Sequence, residues 1–364
     1  MFVRTSNEQM MDLFTRWYKE IRLQNLQEAH KLKYDVDDQL DLIKKDAVQL
    51  SFYYLLNVRY YLLIDKPNEA EKIMKQFEGF YRKNGELINY YYHFFKALLL
   101  SNRRKYAEAK EYYITAESLL KYVEDELEEA EFHYSLANFY YYIRQPLLAV
   151  HYALKAKEVF AEYDDYKIKI AGCENILGLS YTTIKYFEEA EEHFLLALDI
   201  VLKHQHEQLA LLVRYNLGLM YADQPTLSKV AIRYLHEVYE TGYQLHKSTY
   251  LLAREYFKIG DTETADRFLR EGLNICRETN NEEYLHHLTI LDKLNHAANE
   301  EELESAVKEG MAYFNKEGLF GFVQDYAEQL AAYFHEKGKY DKSSHYFYLA
   351  HEAKQKLLEK GALK

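Results

Sequence analysis

Apolar residues recur at three- and four-residue spacing along nearly the whole chain. In the stretch 175–200, NILGLSYTTIKYFEEAEEHFLLALDI, Leu177, Gly178 and Tyr181 share one face of a first helix, and Ala190, Phe194 and Ala197 share one face of a second. This is the period of an amphipathic helix, with a short break between two copies. Small residues at Gly178, Ala190 and Ala197 let two helix axes approach closely, while Tyr181 and Phe194 fill the space beside them. The order recurs upstream at Leu136, Ala137, Tyr140, Ala149, Ala153 and Ala156. Downstream it returns at Leu217, Gly218 and Tyr221, with a loop one residue longer around Pro225, and again at Leu252, Ala253, Tyr256, Ala265 and Leu269. Leu330, Ala331, Phe334, Ser343, Phe347 and Ala350 give a copy near the C-terminus, and weaker copies cover 97–116 and roughly 284–316.

This order of small and aromatic positions matches the tetratricopeptide consensus, a pair of antiparallel helices per repeat. The period is near 40 residues, longer than the usual ~34, which predicts extended helices or turns. The expected fold is all-α, and only 3 prolines and 13 glycines in 364 residues support helix almost throughout. The 37 tyrosines suit thin helical layers, where a ring is buried while its hydroxyl stays wet. Stacked hairpins line a groove with the first helix of each pair, a surface for extended peptides or helices. Asn216, in VRYNLGLMY, lies beside the Leu-Gly face. It either binds a peptide backbone amide from the groove or serves as a solvated or inter-helix asparagine.

The front of the chain departs from the repeat. Residues 1–66 show helical patterns over about 6–23, 25–44 and 46–64, closed by Lys66-Pro67-Asn68. Trp17, Tyr18, Ile21 and Leu23 mark an apolar face on the first, and Leu32, Val36, Leu40 and Ile43 on the second. The expected organisation is a three-helix bundle over 1–66, a linker helix over 67–84, and a repeat domain of about six to seven hairpins over 85–364.

Charge and chemistry narrow the function. A formal net charge of −12 disfavours a phosphate-backbone binder, so no direct nucleic-acid partner is expected. Cys173 and Cys276 have no partner at short spacing and read as buried free thiols in a reducing compartment. No signal peptide and no membrane-spanning run is evident, which points to the cytoplasm. HExxH, paired CxxC, GxxxxGK[ST] and GxSxG are absent. His286-His287 point about 100° apart on a helix and make a poor metal pair; no metal site is expected. The run VEDELEEAEF reads as the acidic first turn of a repeat helix, and the acids generally read as solvated.

The specific strings resemble the Rap family of Bacillus response-regulator aspartate phosphatases. Phe14-Thr15-Arg16-Trp17-Tyr18 is similar to the family's N-terminal NEWY, FYYLLNVRYYLL to its YYSLLEFRH, and VEDELEEAEFHYSLANFYYYIRQPLLAV to its EKAEF region; AAYFHEKGKYDKSSHYFYLAHEAKQK also fits. The resemblance implies a front bundle that docks on the receiver domain of a response regulator, and a short re-imported signalling peptide that binds the groove, pulls the bundle into the solenoid and releases the regulator. In some members a glutamine of the bundle orients the water that hydrolyses the phospho-aspartate; others sequester a DNA-binding regulator without catalysis. The protein needs no cofactor of its own, because the receiver supplies the Mg ion. The family's acidic EEDQD motif aligns with Lys44-Lys45-Asp46-Ala47-Val48, so Asp46 agrees and the glutamine position is Ala47. Asp46, Ala47 and Leu50 are the implied receiver-docking positions. Gln49 is the candidate catalytic amide, although it lies about 200° around the helix from Ala47, and the alternative is a surface glutamine without catalytic role. Asn216 falls at the family's peptide-anchoring asparagine, and Thr183 replaces an acidic peptide contact. The acidic chain favours a peptide carrying Lys or Arg. Two readings stand: a phospho-aspartate phosphatase, or a peptide-gated protein that sequesters its regulator.

Overall fold

The computed structural model describes residues 6–80 and 85–361, and all regular structure among them is helical. The front comprises α1 (Ser6–Arg22), α2 (Leu26–Asp37), α3 (Leu40–Ile43) and α4 (Ala47–Leu63), followed by α5 (Pro67–Phe80). The helix expected over 25–44 is thus two pieces. Asp37 and Asp38 place two acids where the helix dipole disfavours them, and Asp37 turns its carboxylate to Lys33 and to the Tyr53 hydroxyl. The chain bends at Asp38–Gln39 before α3 resumes. The last four residues of the expected 67–84 linker helix lie outside the described residues.

Seven helical hairpins follow among the described residues: α6 (Glu86–Asn102) with α7 (Tyr106–Leu119), α8 (Glu126–Tyr142) with α9 (Pro146–Ala161), α10 (Lys167–Thr183) with α11 (Phe187–Lys203), α12 (Glu207–Ala222) with α13 (Ser228–Tyr239), α14 (Leu245–Lys258) with α15 (Thr262–Glu278), α16 (Glu282–His296) with α17 (Glu300–Lys316), and α18 (Phe320–Glu336) with α19 (Tyr340–Gly361). Their packing divides the chain into two compact units, residues 1–176 and 177–364.

The first unit is built on a main apolar core shared by α1 to α8, with Phe14, Trp17, Ile21, Val36, Leu55, Phe77, Phe94, Phe95 and Phe132 all buried, and a smaller cluster of Ala130, Ala156, Phe160, Tyr166 and Cys173 joins α8, α9 and α10. The front helices are therefore packed among the first hairpins. The aromatic half of α4 feeds this core through Phe52, Leu55 and Leu56.

In the second unit the small residues do what their spacing predicts. A Cβ on Gly178 would stand 2.7 Å from the Phe194 ring, and one on Gly218 would stand 2.8 Å from Leu235, so each glycine is the contact point of its hairpin. The C-terminal copy holds at Leu330, Ala331, Phe334, Ser343 and Ala350 and differs at one position. Phe347 is exposed, and Ser343, Tyr346, Ala350 and Ala353 form the buried stripe of α19. This 3-4-3 spacing places Tyr346 on the face toward α18, where it stacks on Phe334.

Phenol-to-carboxylate hydrogen bonds fasten second helices of neighbouring hairpins. Tyr152 of α9 donates to Glu117 of α7 at 3.0 Å, Tyr239 of α13 to Glu271 of α15 at 2.8 Å, and Tyr346 of α19 to Glu304 of α17 at 2.7 Å.

Candidate functional site

The tip of α4 is shaped by one cap. The Asp46 carboxylate accepts the backbone N–H groups of Val48 at 2.8 Å and Gln49 at 3.0 Å, satisfying the donors that a helix start leaves open. Asp46 is thereby committed to the helix itself. Ala47 and Val48 are exposed and Leu50 is half-buried, whereas Gln49 is 5% exposed. The surface that α4 presents at its start is a methyl, a valine and the two exposed lysines Lys44 and Lys45. Gln49 is not a surface residue in this arrangement, and its side chain faces the interior.

Behind the front helices, two acids of α8 face inward instead of to water. Glu128 is fully buried. Its Oε1 accepts from the Tyr18 hydroxyl of α1 at 3.0 Å and from the Tyr90 hydroxyl of α6 at 3.1 Å, and its Oε2 lies 3.4 Å from Arg22 Nη1 at the end of α1. The same Arg22 nitrogen reaches Asp125, the α8 N-cap, at 2.9 Å. One turn on, Glu131 is 1% exposed and receives Arg59 of α4 at 2.9 Å and Lys169 of α10 at 2.7 Å. Burial raises the Glu128 carboxyl to about 7, against the pull of Arg22. At Glu131 burial also works upward, but Lys169 and Arg59 outweigh it and hold the carboxyl below its usual value. The acids expected on solvated faces here are the inner members of a six-membered charge cluster of Arg22, Arg59, Asp125, Glu128, Glu131 and Lys169.

On the second unit the first helices α12, α14, α16 and α18 enclose a cavity of about 390 Å³. Its polar lining includes Asp223, Tyr250, Arg254, Lys258, His287 and Tyr326. Arg254 donates through Nε to the fully buried Glu255 at 3.0 Å, and its buried Nη2 has no hydrogen-bond partner among the described residues. Lys258 is tied to Glu255 at 2.8 Å and to the carbonyl of Ala222 at 2.7 Å. Burial raises the Asp223 carboxyl, against the pull of Arg254 and Lys258. The wall carries basic groups, Arg254 and Lys258, beside the Asp223 carboxyl, so the acidity of the whole chain does not carry over to this hollow. The i, i+4 pair Arg254 and Lys258 in LLAREYFKIG was the available sequence signal, and reasoning from repeat positions passed over it.

The two residues singled out for the groove lie in the same unit. Asn216 of α12 is 6% exposed and belongs to the helix wall. Thr183, at the end of α10, is half-buried and donates its hydroxyl to the carbonyl of Leu179 at 2.9 Å, leaving the oxygen lone pairs for a ligand. Among the described residues no group of three potential metal ligands comes together, and no helix is long and apolar enough to cross a membrane.

Residues 4–65 match a family described as response regulator aspartate phosphatase H, N terminal. Response regulator aspartate phosphatase I of Bacillus subtilis strain 168 is 28% identical over 361 residues, covering 95% of this chain and 92% of that protein. Regulatory protein RapF of the same organism is 24% identical, covering 96% and 95%. The crystal structure of a Rap protein complexed with Competence and Sporulation Factor superposes with a TM-score of 0.82 at 22% identity, over 97% of this chain and 99% of that one.

Proposed function

Because the chain belongs to the Rap family, we propose that it is a peptide-gated regulator that docks on the receiver domain of a response regulator and acts by holding it. The front helices supply the docking surface, with Asp46 shaping the start of α4 and Ala47 and Leu50 offered to the partner. A short signalling peptide on the inner face of the second unit, over Thr183, Asn216 and the Arg254 cavity, is the gate; the relative solved with Competence and Sporulation Factor supports a peptide ligand.

The tip of α4 carries the preference for holding over hydrolysis. An acyl phosphate is labile, and a phosphatase acting on it needs little more than a side-chain amide to orient water, with the metal supplied by the receiver. Here Ala47 presents a methyl at the amide position, Asp46 is spent as a cap, and the Gln49 amide is buried. The second reading, a phosphatase using Gln49 after the front helices rearrange, is favoured by the name of the 28%-identical relative.

A labelled phosphorylated receiver distinguishes the two. The expected outcome is that the wild-type protein binds the receiver without shortening the lifetime of its phosphoryl group, and that Ala47→Gln shortens it. Rapid dephosphorylation by the wild type, abolished in Gln49→Ala with binding retained, would establish the phosphatase reading instead.

A further inference from the structure

The charge cluster behind the front helices has a division of labour that the functional reading above does not use. Glu128 and Glu131 stand one helical turn apart on α8 and hold different helices: Glu128 engages α1 through Tyr18 and Arg22, and Glu131 engages α4 through Arg59. We propose that these two carboxylates are a catch that holds α1 and α4 against the first hairpins, and that Glu128 makes the catch proton-dependent, closing more firmly as pH falls. This rests on the reading that the front helices move.

The two prongs differ in what stays behind when α1 and α4 leave. Glu131 keeps Lys169 of α10 at 2.7 Å, so its charge remains paired in either state. Glu128 loses Arg22 and the Tyr18 hydroxyl and keeps only the neutral Tyr90 hydroxyl of α6. With the front helices in place Glu128 is also fully shut off from water, and a carboxylate so placed is stabilised by protonation unless its partners compensate completely. The groups facing it are Tyr18 and Arg22 from α1, Arg59 from α4, Tyr90 and Tyr91 from α6, Asp125 and Glu131 from α8, and Tyr166 from the turn before α10. Burial and the neighbouring Glu131 raise its proton affinity; Arg22 and the hydrogen bonds from Tyr18 and Tyr90 lower it. The balance leaves the packed-in carboxyl near 7, whereas a Glu128 opened to water returns to the ordinary range near 4.3. The packed state therefore binds the proton more tightly, and closing takes one up from solvent between those two values. The adhesion itself comes from the apolar core around Trp17 and Phe14; the charges determine when it holds.

Hydrogen–deuterium exchange of the full chain without peptide, at pH 6.0 and 7.5 and corrected for the intrinsic pH dependence, tests this. Protection of α1 and α4 in the wild type is expected to be roughly five- to tenfold greater at pH 6.0, the ratio that such a shift in proton affinity gives. Glu128→Gln is expected to abolish that pH response. Arg22→Met is expected to loosen α1, and Arg59→Met α4, with exchange in α16 to α18 unchanged as an internal check on folding. Equal wild-type protection of α1 at the two pH values, or an undiminished pH response in Glu128→Gln, would overturn the proposal. The wild-type comparison decides by itself if a variant fails to fold. Receiver binding is scored separately: a chain that shows the pH response but binds no receiver loses the functional reading and keeps the catch.

Discussion

His287 is 3% exposed in α16, among Tyr250, Phe314, Phe322 and Tyr326, and a ring nitrogen shares a 2.6 Å hydrogen bond with the Tyr326 hydroxyl. Burial pulls its pKa down to about 3. The folded value lies below the ordinary one near 6.5, so the stability contributed by the neutral ring is present above about pH 6.5. It declines as pH falls toward 3, by ~1.4 kcal/mol per unit. His287→Phe should therefore be more stable than the wild type at pH 5 and less stable by ~1 kcal/mol at pH 7.5, where only the hydrogen bond is missed; urea denaturation at the two pH values checks both signs. That the adjacent histidines turn to different faces was legible from helical geometry, and in the structure His286 rests against Tyr313 while its neighbour enters the core. Glu128 and Glu131 were not legible. Their partners lie 110 and 72 residues away, in helices that read separately as bundle faces, and an acid within an acidic run carries no mark of its burial.

Helix pairs were the readable level, because close approach requires small residues at fixed spacing and the chain repeats them. Gly178→Ala would push a methyl into the buried Phe194 ring, a contact of 2.7 Å that a closely packed side chain relieves only by moving. Overpacking of this kind costs about 1–3 kcal/mol, and the better helix propensity of alanine returns up to about 1 kcal/mol. The net expectation is a loss of ~1–2 kcal/mol. At Gly79, in the last turn of α5, nothing among the described residues lies within 4 Å of an added Cβ, so Gly79→Ala should keep part of the propensity gain and raise stability by ~0.5 kcal/mol. Thermal melts of the two variants measure the contrast. Two features escaped the pattern. The break between α2 and α3 came from paired acids and a tertiary pull on Asp37, which periodicity does not register. In α19, Tyr346 and Phe347 are adjacent aromatics, and only the packing partner Phe334 decides which one turns inward.

At the scale of the molecule, the front looks foreign to the repeat in sequence, yet its helices share a continuous core with the hairpin helices as far as α8, inside a compact unit that extends to residue 176. The only tryptophan, Trp17, is fully buried in that core and is a natural reporter of the first unit. We expect Trp17 emission to follow loss of the first unit, while far-UV dichroism records helices of both, so the two denaturation curves should not coincide. Coincident midpoints would show that the units unfold as one. The phenol-to-carboxylate fastenings between hairpins carry a further consequence. In the first two, one member is uncharged, so the contact itself holds no pair of opposite ions for dissolved electrolyte to shield; in the third, Glu304 is also paired with Lys308 and with Lys342 of α19. An acidic chain that joined its repeats by lysine-to-glutamate contacts would loosen in brine. Here the α7–α9 and α13–α15 joints spend their carboxylates on tyrosines and should hold as electrolyte rises, whereas the α17–α19 joint, which adds Lys342 to Glu304, should be the one that gives.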